Sequence, residues 1–90
     1  MTISVTTSNN AHYDLLDNEN EAVRMEIWWL STERIWVLQE LDANGNQVGN
    51  AMYEMNKRNV ITYVEMEIAN GYTLPITLYR NGFTVAKRWN

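Results

Sequence analysis

Residues 22–55, AVRMEIWWLSTERIWVLQELDANGNQVGNAMYEM, decide the fold that the sequence predicts. Three runs of β-branched, aromatic and aliphatic residues follow one another there, at 22–30, 34–42 and 47–55. Apolar and polar side chains that alternate along such a run are typical of a strand with one buried face. The segment between the second and third runs contains Asn44-Gly45, which is a strong hairpin signal because both residue types tolerate positive φ. The stretch therefore predicts three consecutive antiparallel strands.

The same signals continue outside this stretch. Two more Asn-Gly pairs, Asn70-Gly71 and Asn81-Gly82, punctuate the C-terminal part. Residues 51–58 also fit two helical turns, as a less favoured alternative. Further strand-like runs, the last two weaker, lie at 60–68, 72–80, 83–89, 2–7 and 12–16. We expect a single all-β domain over residues 1–90, an antiparallel up-and-down meander of about seven strands.

Side-chain parity predicts the register, because a slip of one residue moves every side chain to the opposite face. A three-residue loop at 31–33 sets Trp29 opposite Ile35, and a two-residue turn at Asn44-Gly45 continues one apolar face. No amphipathic helix is evident to cover that face, so we expect the sheet to curl into a small barrel or sandwich, or to dimerise face to face. The expected core is Val23, Ile27, Val37, Met52, Val64, Met66, Leu74, Ile76, Leu78 and Val85.

The same registers place an aromatic row on the outer face of the predicted sheet. Trp28, Trp36, Tyr53 and Tyr63 lie side by side there, and the flanking residues include Leu38 and Met55. One interpretation is a second buried layer that stabilises the sheet. The other is an exposed contact surface, because Trp and Tyr are typical anchors of protein interfaces.

Basic residues gather at one end of the predicted meander. Lys57, Arg58 and Arg80 fall in or beside loops that share that end, while the opposite end collects acidic residues. The arrangement is either ordinary surface charge or a polarity that orients a partner.

Composition and motifs argue against catalysis. The chain has no cysteine and one histidine, His12, with no nucleophile motif near it. Glu65 and Glu67 lie on one face of a predicted strand, as paired catalytic carboxylates could, but no cleft is predicted beside them. Residues 42–46 resemble only the start of a calcium-binding loop. We expect no enzyme activity, no cofactor and no metal.

Location and partners are predicted from charge and hydropathy. The formal net charge of −4 disfavours nucleic-acid binding. The N-terminus resembles no signal peptide and no stretch is long enough to span a membrane, so we expect a cytoplasmic protein.

These observations favour a non-catalytic protein-binding domain that contacts another protein, either foreign or a second copy in a homodimer. Its small size and acidic charge suit a phage or mobile-element inhibitor of a host protein. One alternative is a carbohydrate-binding module that uses the aromatic strand face. Another is a virion or other assembly subunit.

Overall fold

The computed structural model describes residues 18–90 and shows a mostly β-sheet structure with one short helix. The strands expected at 2–7 and 12–16, and His12, lie outside the described residues. No helix in this part of the chain is long and apolar enough to cross a membrane. In chain order the elements are β1 Arg24–Leu30, β2 Ile35–Leu41, β3 Gln47–Glu54, α1 Lys57–Ala69, β4 Ile76–Tyr79 and β5 Val85–Trp89.

The five strands form one open sheet in the order β3-β2-β1-β4-β5. β1 to β3 pair as consecutive antiparallel strands, and β4 pairs with β5 in the same way. β4 does not continue the meander from β3, because α1 carries the chain across the sheet and β4 pairs parallel to β1. The predictions of about seven strands and of closure into a barrel or sandwich are therefore wrong for residues 18–90.

The run at 60–68, which was expected to be a strand, belongs to α1. Asn56 caps this helix, since its side-chain oxygen accepts a hydrogen bond from the Asn59 backbone N–H at 2.8 Å. The helix ends at Asn70-Gly71, where Gly71 takes the positive φ of 103° that favours glycine. The alternative helix at 51–58 is also wrong over most of its length, because β3 extends to Glu54.

The core lies between α1 and one face of the sheet. Val60 and Val64 of the helix are fully buried against that face. The sheet contributes the buried side chains of Met25, Ile27, Leu38, Ile76 and Leu78. This helix covers the apolar face for which the sequence pattern predicted no cover, so the sheet does not need to close on itself.

Half of the expected core is buried. Ile27, Val64, Ile76 and Leu78 are buried together as predicted, whereas Val37 is buried on the opposite face of the sheet. Val23, Met52, Met66 and Val85 are exposed, and Leu74 is intermediate. Met66 is exposed because α1 buries residues four apart, Val60 and Val64, and not every second residue.

The registers of the first two hairpins each differ by one residue from the prediction. The loop after β1 has four residues, 31–34, and Trp29 pairs with Trp36 where Ile35 was expected. Arg34 closes this loop at a positive φ of 55°. The next loop is also longer than two residues, since Leu41 pairs with Gln47. Because each slip exchanges the two faces, the residues of β2 lie on the face opposite to the one predicted.

The turn between β2 and β3 is organised by Asp42, whose carboxylate is buried. It accepts hydrogen bonds from the side-chain amides of Asn18 and Asn20 and from the backbone N–H groups of Asn44 and Asn46, at 2.9–3.1 Å. The bonds from Asn20 and Asn46 contribute most, and together these bonds lower the pKa of Asp42 to about 2 despite its burial.

Candidate functional site on the open face of the sheet

The two faces of the sheet differ in what covers them. α1 packs on the face that carries Ile27, Leu38 and Leu78. No helix or strand of residues 18–90 lies on the other face, which we call the open face. Trp28 and Tyr79 project from it, because each follows a residue that faces the helix.

Aromatic side chains form a row across the open face. Trp28 pairs with Val37, and Val37 pairs with Tyr53 on the outer strand. On the other side of β1, Tyr79 lies beside Trp28, one residue beyond the Ile27–Leu78 pair. We call Tyr53, Trp28 and Tyr79 the aromatic row. Val37, which lies between Trp28 and Tyr53 in the row, is only 4 % exposed. Tyr53, at the edge of the row, is 58 % exposed.

Phe83 extends the aromatic row from the turn between β4 and β5. Its ring packs edge-on against Tyr79, with 5.7 Å between centroids and an interplanar angle of 86°. The side chain is nevertheless 87 % exposed. Phe83 is therefore an exposed apolar ring at one end of the aromatic row.

A groove of about 470 Å³ runs along β1 on the open face. Gly45 of the β2–β3 turn lines it at one end, and Gly82 with Phe83 lines it at the other. Between them the groove is lined by Arg24, Glu26, Trp28, Gln39, Leu41 and Tyr79. Its volume lies within the range of small-ligand sites, and aromatic walls with a few polar groups are typical of them.

The polar groups of the groove include the Gln39 amide, an ion pair and a tyrosine hydroxyl. Arg24 Nε donates to Glu26 Oε2 at 3.0 Å. Burial raises the pKa of the Tyr79 hydroxyl, and the nearby Glu26 carboxylate raises it further. The hydroxyl therefore stays protonated near neutral pH and remains a hydrogen-bond donor.

The four residues of the predicted row are divided between the two faces. Trp28 and Tyr53 share the open face, whereas Trp36 lies on the helix face, edge-to-face with Trp29 at 5.4 Å. Leu38, predicted to flank the row, is a core residue with 2 % exposure. Trp36 and Leu38 lie on the face opposite to the predicted one, because the loop at 31–34 is one residue longer than expected.

Tyr63 belongs to α1 and is half-buried beside the sheet. It lines a small cavity of about 110 Å³ together with Glu40, Glu67 and Tyr72. The Tyr72 hydroxyl donates to Glu40 Oε2 at 2.8 Å. Burial raises the pKa of both tyrosines, and the two carboxylates raise them further.

The remaining predicted residues lie at one end of the sheet. Met55, 73 % exposed, joins β3 to the helix, and Lys57 and Arg58 are the first two helical residues. Arg80 is exposed directly after β4, which ends at the same side of the sheet because it runs parallel to β1. The topology thus brings these residues to one end, although none lines the groove.

Sequence reasoning missed Phe83 and Arg24 as groove residues. Phe83 follows Asn81-Gly82, and an aromatic residue directly after a turn signal could have indicated an exposed ring. Arg24 pairs with Glu26 along its own strand, a same-face contact two residues apart that strand alternation could have indicated. In residues 18–90, no group of three His, Cys, Asp or Glu side chains is placed to hold a metal ion.

Comparison with known proteins gives no relative: no family model, curated protein or solved structure matches this chain.

Proposed function

We propose that this chain is a non-catalytic protein-binding domain and that the open face is its contact surface. The observation that supports this proposal is the aromatic row on a face that no described element covers. Where one face of a sheet packs on a core, the solvated face is usually polar. Here its centre carries Trp28 and Tyr79, with Tyr53 on the outer strand and Phe83 in the turn between β4 and β5.

The exposed rings are large enough to anchor a protein contact. Tyr53 and Phe83 are 58 % and 87 % exposed, so a partner that covers both would remove roughly 250 Å² from water. At about 25 cal/mol per Å² this contributes roughly 6 kcal/mol before the costs of association. Phe83 packs against Tyr79, and Tyr53 lies on the same face two strands away from Trp28.

The proposal is tested by capture of partners with two matched variants. Trp28→Ala removes the central ring of the open face, and Trp29→Ala removes the adjacent tryptophan, which points to the helix face. Tagged proteins are incubated with host lysate, and bound proteins are quantified by mass spectrometry. The proposal requires a partner that Trp28→Ala loses and Trp29→Ala retains.

Loss of the partner in both variants, or in neither, would place the contact elsewhere. Circular dichroism and melting temperature show whether each variant is folded. If Trp28→Ala unfolds the protein, Phe83→Ala replaces it, because Phe83 is almost fully exposed and contributes little to folding.

The partner can also be a second copy of the chain, as in a homodimer or an assembly subunit. Light scattering after size-exclusion chromatography measures the mass of the wild type and of Phe83→Ala. A dimer or larger species that dissociates on this substitution indicates self-association through the open face. A monomer in both cases favours a foreign partner.

A carbohydrate-binding module is the second candidate, and the groove supplies the observation that favours it. Sugar rings stack on aromatic side chains and their hydroxyls pair with planar polar groups, here Glu26, Gln39 and Arg24. Titration with cellohexaose and chitohexaose, followed by tryptophan fluorescence, distinguishes the two functions. Saturable binding that Trp28→Ala abolishes would favour the sugar.

A further inference from the structure

The groove has a charged end formed by Arg24. Its Nε donates to Glu26 at 3.0 Å, and its Nη1 makes a long contact of 3.4 Å to the carbonyl oxygen of Asp42. Nη2 lies 3.7 Å from the position that a Cβ at Gly45 would occupy. Gly45 has no side chain there, so it leaves space in front of the guanidinium.

The guanidinium has donor capacity that the described residues leave unused. It carries five N–H groups, and its hydrogen bonds within residues 18–90 engage Nε and one hydrogen of Nη1. The ion pair that Arg24 makes within residues 18–90 is with Glu26, whereas the Asp42 carboxylate accepts its four hydrogen bonds from the turn and from Asn18 and Asn20. The Arg24 side chain is 37 % exposed and reaches the groove.

A carboxylate is the group that matches this end of the groove. Guanidinium groups bind carboxylates with charge-assisted hydrogen bonds that are stronger than those to neutral acceptors. Trp28 projects from the same face of β1 four residues further along, which places it roughly 13 Å from Arg24. An extended peptide repeats this spacing when two of its own side chains are four residues apart.

We propose that the groove binds an extended acidic segment of a partner protein, with a carboxylate against Arg24 and an apolar side chain against Trp28 and Phe83. The inference rests on the proposed protein-binding function and specifies the chemistry of the partner. Glu26 competes with the bound carboxylate for Arg24. The ion pair between them therefore lowers the affinity for acidic segments.

Two peptides that differ in one group test the inference on the full chain. Acetyl-Asp-Ser-Thr-Ser-Phe-amide carries the carboxylate and the ring at the required spacing, and acetyl-Asn-Ser-Thr-Ser-Phe-amide lacks the charge. Binding is measured from ¹H–¹⁵N NMR shifts of the Trp28 indole N–H during titration. The Asp peptide is expected to bind roughly fivefold more tightly, the difference between a charge-assisted and a neutral hydrogen bond.

Three variants show whether Arg24 causes this preference. R24Q is expected to remove the difference in affinity between the two peptides. R88Q changes an exposed arginine that lies on the same face but outside the groove, and it is expected to keep that difference. E26Q is expected to increase the affinity for the Asp peptide, whereas a purely structural ion pair predicts a loss.

Equal affinities for the two peptides in the wild type, no binding of either one, or an unchanged preference in R24Q would overturn the inference. Such a result leaves the proposed function open to its own test. A partner lost in Trp28→Ala and retained in Trp29→Ala would then bind the open face through different chemistry.

Discussion

Replacing Ile27 by alanine tests the packing of the helix on the sheet. Ile27 is fully buried on the central strand, between its register partners Leu38 on β2 and Leu78 on β4. Alanine removes the side chain beyond Cβ, and strand pairing on both sides of β1 prevents the neighbours from closing the cavity. We expect a loss of about 3 kcal/mol in the free energy of unfolding, within the roughly 2–5 kcal/mol range for such changes.

A loss of this size is measurable by urea unfolding followed by circular dichroism. A domain of this length has a total stability of roughly 5–13 kcal/mol, so the variant stays folded but is much weakened. With a urea dependence of about 1.5 kcal/mol per molar, the midpoint falls by about 2 M. Val85→Ala on the outer strand is the control and should shift the midpoint little, since Val85 is 38 % exposed. A loss below about 1 kcal/mol for Ile27→Ala would refute the packing described here.

Three further predictions concern a buried carboxylate, a helix cap and an exposed ring. Because the pKa of Asp42 is lowered to about 2, its stabilising contribution is complete above its unfolded value of about 4. That contribution is lost as the pH falls from 4 through 2, so Asp42→Asn should flatten the acid branch of the stability curve. Asn56→Ala should cost about 1 kcal/mol in urea unfolding, because it removes the hydrogen bond that caps α1, and an unchanged midpoint would refute the cap. Phe83→Ala should leave the melting temperature unchanged and weaken binding of any captured partner by about tenfold. Met55→Ala, which changes a similarly exposed residue outside the groove, should not weaken that binding. Equal effects of the two substitutions on binding would count against the open face.

The sequence predicted the strands of the first half of the chain and the positions of the turns, but not the loop lengths. Each of the first two hairpins has a longer loop than Asn-Gly or Ser-Thr-Glu implied, and each shifts the register by one residue. Each shift exchanges the two faces, so after two shifts the residues of β3 lie on the predicted face relative to β1. Trp28 and Tyr53 therefore share a face as predicted, while Trp36 and Leu38 on β2 do not.

The helix was missed because residues 60–68 satisfy two periodicities. Val60, Val64 and Ile68 recur both at every second residue of a strand and at every fourth residue of a helix. β-branched residues at these positions favoured a strand. The tertiary context favours the helix instead, since the sheet needs a cover for Ile27 and Leu78, and α1 supplies it.

The candidate site was predictable in part. The alternation of the first three strands placed an aromatic row on the outer face, either exposed or as a second buried layer, and Trp28 and Tyr53 do share that face. The groove depends on β4 lying beside β1, a pairing that local patterns do not encode because it spans the whole helical connection. Phe83 and Arg24 therefore became part of one site only through the crossover.

The central claim, that the open face is the contact surface, is tested most directly by the four tryptophan indole N–H signals in ¹H–¹⁵N NMR spectra. Trp28 lies on the open face, whereas Trp29, Trp36 and Trp89 lie on the helix face. On addition of a captured partner, we expect the Trp28 signal to shift or broaden first and the other three to change little. A change confined to Trp29, Trp36 or Trp89, with Trp28 unaffected, would contradict it.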